Sequence, residues 1–142
     1  LLESRGLGDV YKRQNINSKK IDEINILNSS ILAMHKCLDK FDIKPEFIIV
    51  DGNKFKAYKD IPYKTIIKGD DKYLSIAAAS ILAKDFRDDF MIKLYKKFPN
   101  YLWKKNKGYP TKSHREAIKK IGVTRHHRKT FSLYDKQLKM DI

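Results

Sequence analysis

From Ser18 onward, apolar residues recur at steps of three and four. Ile24, Leu27, Ile31, Met34 and Leu38 fall on one face, which predicts an amphipathic helix. Cys37 lies beside that face and reads as packed rather than reactive. Pro45 closes the connection, because the residue before a proline avoids helical geometry. The period then changes. Phe47-Ile48-Ile49-Val50 is a short continuous apolar run with branched residues, as expected of a strand buried on both faces, and it ends at the turn signal Asp51-Gly52-Asn53. A second such run, Thr65-Ile66-Ile67, ends at Lys68-Gly69-Asp70. A long helix is predicted from Asp70 or Asp71, either a good cap, to about Phe98, where Pro99 stops it. Its first half, Ser75 to Ala83, is rich in small residues. Its second half sets Phe86, Phe90 and Leu94 opposite Arg87, Lys93 and Lys97. A loop from Pro99 to Pro110 mixes Tyr101, Trp103 and Tyr109 with Lys104, Lys105 and Lys107. A short helix from about Thr111 follows, with Gly122 placed to end it, and then the basic strip Arg125-His126-His127-Arg128-Lys129.

Strands alternating with helices predict an α/β fold, and 142 residues without a low-complexity linker or internal repeat predict a single domain. The opening stretch LLESRGLGDVYKRQ has no clear period and joins the next segment without turn logic. Residues 1–14 therefore read as a non-native segment, such as a translated sequencing adapter, and residues 15–142 as the domain.

Charge narrows the class of partner. With 31 Lys+Arg against 17 Asp+Glu, the formal net charge is +14. That excess implies an anionic partner, nucleic acid by default, because phosphate contacts dominate such binding; the bland alternative is a scatter of solvated lysines. The single cysteine rules out an internal disulfide framework and points to a reducing compartment. No apolar run approaches the roughly 20 residues that span a bilayer, and the first residues lack a signal-peptide pattern, so a cytoplasmic location without membrane attachment is expected.

Two strands that each run straight into an aspartate form the most informative pattern, since ligand sites in open α/β sheets lie outside strand ends. Carboxylates there would repel a polyphosphate unless a hard cation such as Mg2+ intervened. Asp51 as a turn residue and Asp70 as a helix cap is the plainer alternative. His35, His114, His126 and His127 form no zinc spacing, and His114 and His127 read as structural or phosphate-facing.

The segments Val50-Asp51-Gly52-Asn53, Lys68-Gly69-Asp70-Asp71-Lys72, Ser75 to Lys84, Arg87-Asp88, Lys107-Gly108-Tyr109, His114 and His127-Arg128 resemble bacterial ribonuclease HII in order and spacing. The stretch Ile21 to Leu27 is similar as well, so the resemblance runs from Ile21 to about Phe131. It implies a ribonuclease H-like sheet flanked by helices, with a helical C-terminal extension. It implies an endonuclease acting on RNA–DNA hybrids and on single ribonucleotides in duplex DNA. Such an enzyme cuts 5′ of the ribonucleotide, by two-metal-ion hydrolysis with Mg2+ or Mn2+, as a monomer in DNA replication and repair.

Of the family's four metal-binding carboxylates, Asp51 matches the third and Asp70 the fourth. The first two, an adjacent Asp-Glu pair on the first strand followed by a Gly-Arg-Gly loop, have no match in this sequence. The resemblance thus implies a partial domain lacking its first strands. Glu3-Ser4-Arg5-Gly6 is a decoy, too close to Asp51 and preceded by no strand. The resemblance further implies that Tyr109 packs against the nucleotide at the RNA–DNA junction, where an aromatic beside Lys107 suits stacking next to phosphate. A loop tyrosine pinning the last helix is the alternative. Lys68, Lys72, Lys84, Arg87 and Lys107 match family positions near substrate. Each of Lys68, Lys72, Lys84 and Arg87 contacts the backbone phosphates, orients a carboxylate or faces solvent. Beside this enzyme stands a second reading, a basic nucleic-acid-binding module without catalysis.

Overall fold

A computed structural model of the chain describes residues 11–131, so most of the segment 1–14 lies outside the described residues. The element order is α1 (Ser18–Leu38), β1 (Ile48–Asp51), β2 (Tyr63–Ile66), α2 (Leu74–Lys97), a 3-10 turn (Pro99–Tyr101), α3 (Trp103–Asn106) and α4 (Lys112–Ile121). This is the expected α/β order. The described residues form two compact units, 11–16 with 24–84 and 17–23 with 85–131. Among them, no helix is long and apolar enough to cross a membrane.

In the first unit β1 and β2 pair in parallel, with Ile48 opposite Tyr63 and Asp51 opposite Ile66. Ile48, Val50 and Tyr58 are buried, and Met34, Leu38, Phe55 and Ile61 cover them. Met34 and Leu38 thus supply the apolar face that the helical period announced. Neither strand is buried on both faces. Phe47 precedes β1 and is exposed, Tyr63 and Lys64 face outward, and Ile67 lies beyond β2 with 63% of its surface accessible. Among the described residues the sheet has two strands, so outward positions of β2 meet no further layer.

The helix from Ser18 is not continuous. Asn25 adopts φ 66°, ψ 170° and breaks it. The second segment starts afresh there, with Asn25 Oδ1 accepting the Asn28 N–H at 3.0 Å as a side-chain cap. Leu27, placed by periodicity on the buried face, is exposed. Cys37 is half-buried, and burial raises its thiol pKa, which keeps it in the unreactive thiol form.

In the second unit Leu94, Tyr101, Trp103 and Ile118 form the core, with Met91, Tyr95, Phe98 and Ala117 against it. The buried stripe of α2 is therefore Met91-Leu94-Tyr95-Phe98. Phe90, expected beside Leu94, is exposed. Trp103 is only 2% exposed, so truncating it would cost about 3–5 kcal/mol. Tyr101 stacks on it at 5.0 Å and donates to the Gly122 carbonyl at 2.9 Å. Helix α4 follows Thr111, whose side chain caps it, and ends at Gly122, as the sequence predicts; Gly122 takes φ 79°, ψ −166°, an extended positive-φ geometry open to glycine. The Asp22 carboxylate accepts the Lys129 N–H at 2.7 Å, the Thr130 N–H at 3.1 Å and the Thr130 hydroxyl at 2.6 Å. These bonds, the Thr130 hydroxyl foremost, hold its pKa below the usual aspartate value.

Candidate active site

Parallel pairing brings the end of β1 beside the end of β2, because Asp51 and Ile66 are partners in register. The Gly52 N–H continues the ladder to the Ile66 carbonyl at 2.9 Å. Asp51 Oδ1 then accepts the Gly69 N–H at 2.8 Å, which ties the exposed carboxylate to the Lys68-Gly69-Asp70 loop. Lys68 turns the chain in the left-handed region at φ 54°. Gly69 is pressed so closely that a Cβ would stand 2.7 Å from Ile76 Cδ1 and 3.1 Å from the Ile66 carbonyl oxygen.

The expected helix start at Asp70 or Asp71 does not occur. The Gly69 carbonyl accepts both the Lys72 and the Tyr73 N–H, making a tight turn, and α2 begins only at Leu74. Asp70 is left exposed on that turn rather than serving as a cap. Lys72 Nζ donates to the Ile67 carbonyl at 2.9 Å, so this cation braces the turn from outside. Lys68 and Lys84 are exposed in the same unit, Lys84 further along α2.

Asp51 and Asp70 are exposed carboxylates, hard oxygen donors of the kind that divalent cations take. Among the described residues, no group of three or more His, Cys, Asp or Glu side chains is arranged to hold a metal ion.

Arg87, Lys107 and Tyr109 lie together in the second unit. Lys107 and Gly108 both take positive φ, 50° and 80°, and reverse the chain after α3. The Gly108 N–H donates to Asn106 Oδ1 at 2.9 Å and the Tyr109 N–H to the Asn106 carbonyl at 2.8 Å. Arg87 donates from Nη2 to the Lys107 carbonyl at 3.0 Å and sets its guanidinium 5.2 Å from the Tyr109 ring centroid. Tyr109 is 59% exposed, a supported aromatic open to a partner. Sequence reasoning treated Arg87 as a cation; here it acts on the loop and the ring of Tyr109.

The histidines are structural in location. His114 is 5% exposed and His127 half-buried, and both pack against Tyr101 and Trp103. Burial, and then neighbouring His114, lower the His127 pKa. Burial likewise lowers that of His126, helped by Arg125 and Lys97. Two contributors escaped sequence reasoning. Gly69 needed the tertiary contact to show its role, and buried Asn106 looked like one more polar loop residue.

A family model described as Ribonuclease HII matches residues 8–134. Among similar proteins, the ribonuclease HII of Christiangramia forsetii is 63% identical over 132 residues, 93% of this chain and 67% of that protein. That of Phocaeicola vulgatus is 54% identical over 127 residues, 89% of this chain and 63% of its own length. That of Bacteroides thetaiotaomicron is 55% identical over 128 residues, 89% and 64% respectively. This chain thus spans about two thirds of the length of these relatives.

Proposed function

This chain belongs to the ribonuclease HII family, and from that premise we propose that its reaction is endonucleolytic cleavage of RNA in duplexes. The substrates are RNA–DNA hybrids and duplex DNA carrying single ribonucleotides, cut 5′ of the ribonucleotide to leave 3′-hydroxyl and 5′-phosphate ends. The location is cytoplasmic, the form monomeric and the setting DNA replication and repair. The fold is a ribonuclease H-like sheet with a helical C-terminal extension.

The observation that carries the reading is the bond from the Gly69 N–H to Asp51, which ties the carboxylate at the end of β1 to the Lys-Gly-Asp loop that follows β2 and carries the exposed Asp70. Asp51 and Asp70 hold Mg2+ or Mn2+ together with the family's Asp-Glu pair. Such ions, when bound, would supply neutralisation of phosphate charge and an activated water. The Gly69 N–H occupies one oxygen of Asp51, which fixes its rotamer and leaves the other for a ligand. Lys68, Lys72, Lys84 and Lys107 counter backbone phosphate. Tyr109 packs on the nucleotide at the junction, steadied by Arg87.

The second reading, a basic module that binds without cutting, is favoured by the lack of a three-carboxylate group among the described residues. A cleavage assay separates the two. A duplex with one ribonucleotide is incubated with Mg2+ or Mn2+ and either this chain or a form extended upstream from genomic DNA. Cutting by the extended form, abolished by Asp51→Asn with binding retained or tightened, supports the nuclease. Binding without cutting by either form supports the module and reduces Asp51 and Asp70 to structural residues.

A further inference from the structure

Half-buried His127 and buried His114 form a directed chain of hydrogen bonds that ends on Tyr109. Trp103 Nε1, which can only donate, points at His114 Nε2 at 3.3 Å, so that nitrogen carries a lone pair. Neutral His114 therefore bears its proton on Nδ1, which lies 3.0 Å from the Tyr109 carbonyl oxygen. On the other side, His127 Nδ1 accepts the Thr124 N–H at 3.0 Å, so His127 carries its proton on Nε2. That nitrogen lies 3.3 Å from His114 Nε2, the acceptor already defined. The order runs from Thr124 through His127 and His114 to the Tyr109 carbonyl, with one tautomer allowed at each ring. Reversing either ring would set two donors against each other, at Trp103 or at Thr124. Tyr109 is thereby held at its N–H by the Asn106 carbonyl, at its ring by Arg87 and at its carbonyl by His114 at 3.0 Å together with the Thr111 N–H at 2.8 Å.

We propose that His114 is a positioning residue for Tyr109, acting through its Nδ1–H on the Tyr109 carbonyl, with His127 and Trp103 holding the tautomer. A loop whose flanking residues take left-handed conformations needs such support to present one aromatic face reproducibly. The proposal rests on the reading of Tyr109 as the contact to a ribonucleotide-containing duplex.

Two measurements test it. Long-range 1H–15N correlation spectra of the labelled chain near neutral pH report which imidazole nitrogen is protonated. Nδ1–H at His114 with Nε2–H at His127 is expected, and Nε2–H at His114 overturns the relay whatever Tyr109 does. The second uses amide isosteres: His114→Asn puts a donor where Nδ1 stands, and His114→Gln puts one where Nε2 stands. On a duplex with one ribonucleotide, the Asn variant keeps affinity within about twofold and the Gln variant loses about tenfold, the scale of one stacking contact. With Tyr109→Ala added, the two variants bind alike. If Tyr109→Ala weakens binding but Asn and Gln are equivalent beside an intact Tyr109, positioning by His114 is overturned alone. If Tyr109→Ala binds as the parent does, the reading of Tyr109 falls and the positioning role falls with it.

Discussion

The Asp51 carboxylate accepts the Gly69 backbone N–H at 2.8 Å, so one candidate metal ligand shapes the loop that carries the other. Gly69 has no room for a side chain. Gly69→Ala is expected to destabilise the chain by about 1–3 kcal/mol through overpacking against Ile76 and the Ile66 carbonyl. Urea denaturation measures the loss. Adding Ile76→Val, which removes the nearest methyl, should recover part of it; no recovery would place the strain in the backbone alone.

Arg87 combines a bond to the Lys107 carbonyl with a position over the Tyr109 ring. Because the residue is exposed, Arg87→Ala should cost only about 1 kcal/mol of stability. Its effect on binding a ribonucleotide-containing duplex should be larger than its effect on plain DNA. Arg87→Lys should resemble the alanine variant, since an ammonium lacks the planar fork that serves both contacts. Fluorescence-anisotropy titrations on the two duplexes check this, and an equal loss on both would make Arg87 a simple phosphate contact.

Burial and the neighbouring His114 depress the His127 pKa in the folded chain, and the titratable groups acting on it are His114 and His126. Between that depressed value and the unfolded value near 6.5, the unfolded chain binds the extra proton. Stability is therefore complete above about pH 6.5 and falls as pH drops below it. Thermal melts across mildly acidic pH should show the decline. His127→Gln, which keeps a donor toward His114 but does not titrate, should flatten it, leaving the contribution of His126.

Asn25 stands at φ 66°, ψ 170°, a region that only glycine enters freely, at a cost of about 1–3 kcal/mol. Asn25→Gly relieves that strain and gives up a cap worth only a few tenths against glycine. A raised melting temperature is expected. A lowered one would mean that the bond from Asn25 Oδ1 to the Asn28 N–H outweighs the strain.

Local chemistry was legible where neighbours in sequence decide it. Proline at Pro99, the helix start after Thr111 and the Gly122 terminus stand where their side-chain properties place them, and β1 ends on Asp51, whereas β2 ends at Ile66, four residues before Asp70. What escaped depends on distant partners. The apolar period from Ile24 to Leu38 runs through the kink at Asn25 without registering it, because the repeat counts side chains and not backbone angles. Asp70 and Asp71 look like helix caps, yet the bond between Asp51 and Gly69 and the turn at Gly69 push the helix start to Leu74. The histidine chain joins positions 11 and 13 residues apart through a buried indole, and no spacing rule foretells it. The family is legible in the residue series; the bracing of the Asp51 and Tyr109 loops is not.

The hold of Asp22 on Lys129 and Thr130, joined by the Ser18 hydroxyl on the Arg125 carbonyl, has a consequence for birth on the ribosome. Residues 24–84 emerge as one stretch and can collapse while the rest is still being made. The short piece 17–23, synthesised before them, must wait for more than a hundred further residues before its partners exist. Residues 24–84 can mature first, so the Asp22 clasp is a late event that closes only after Lys129 and Thr130 have emerged.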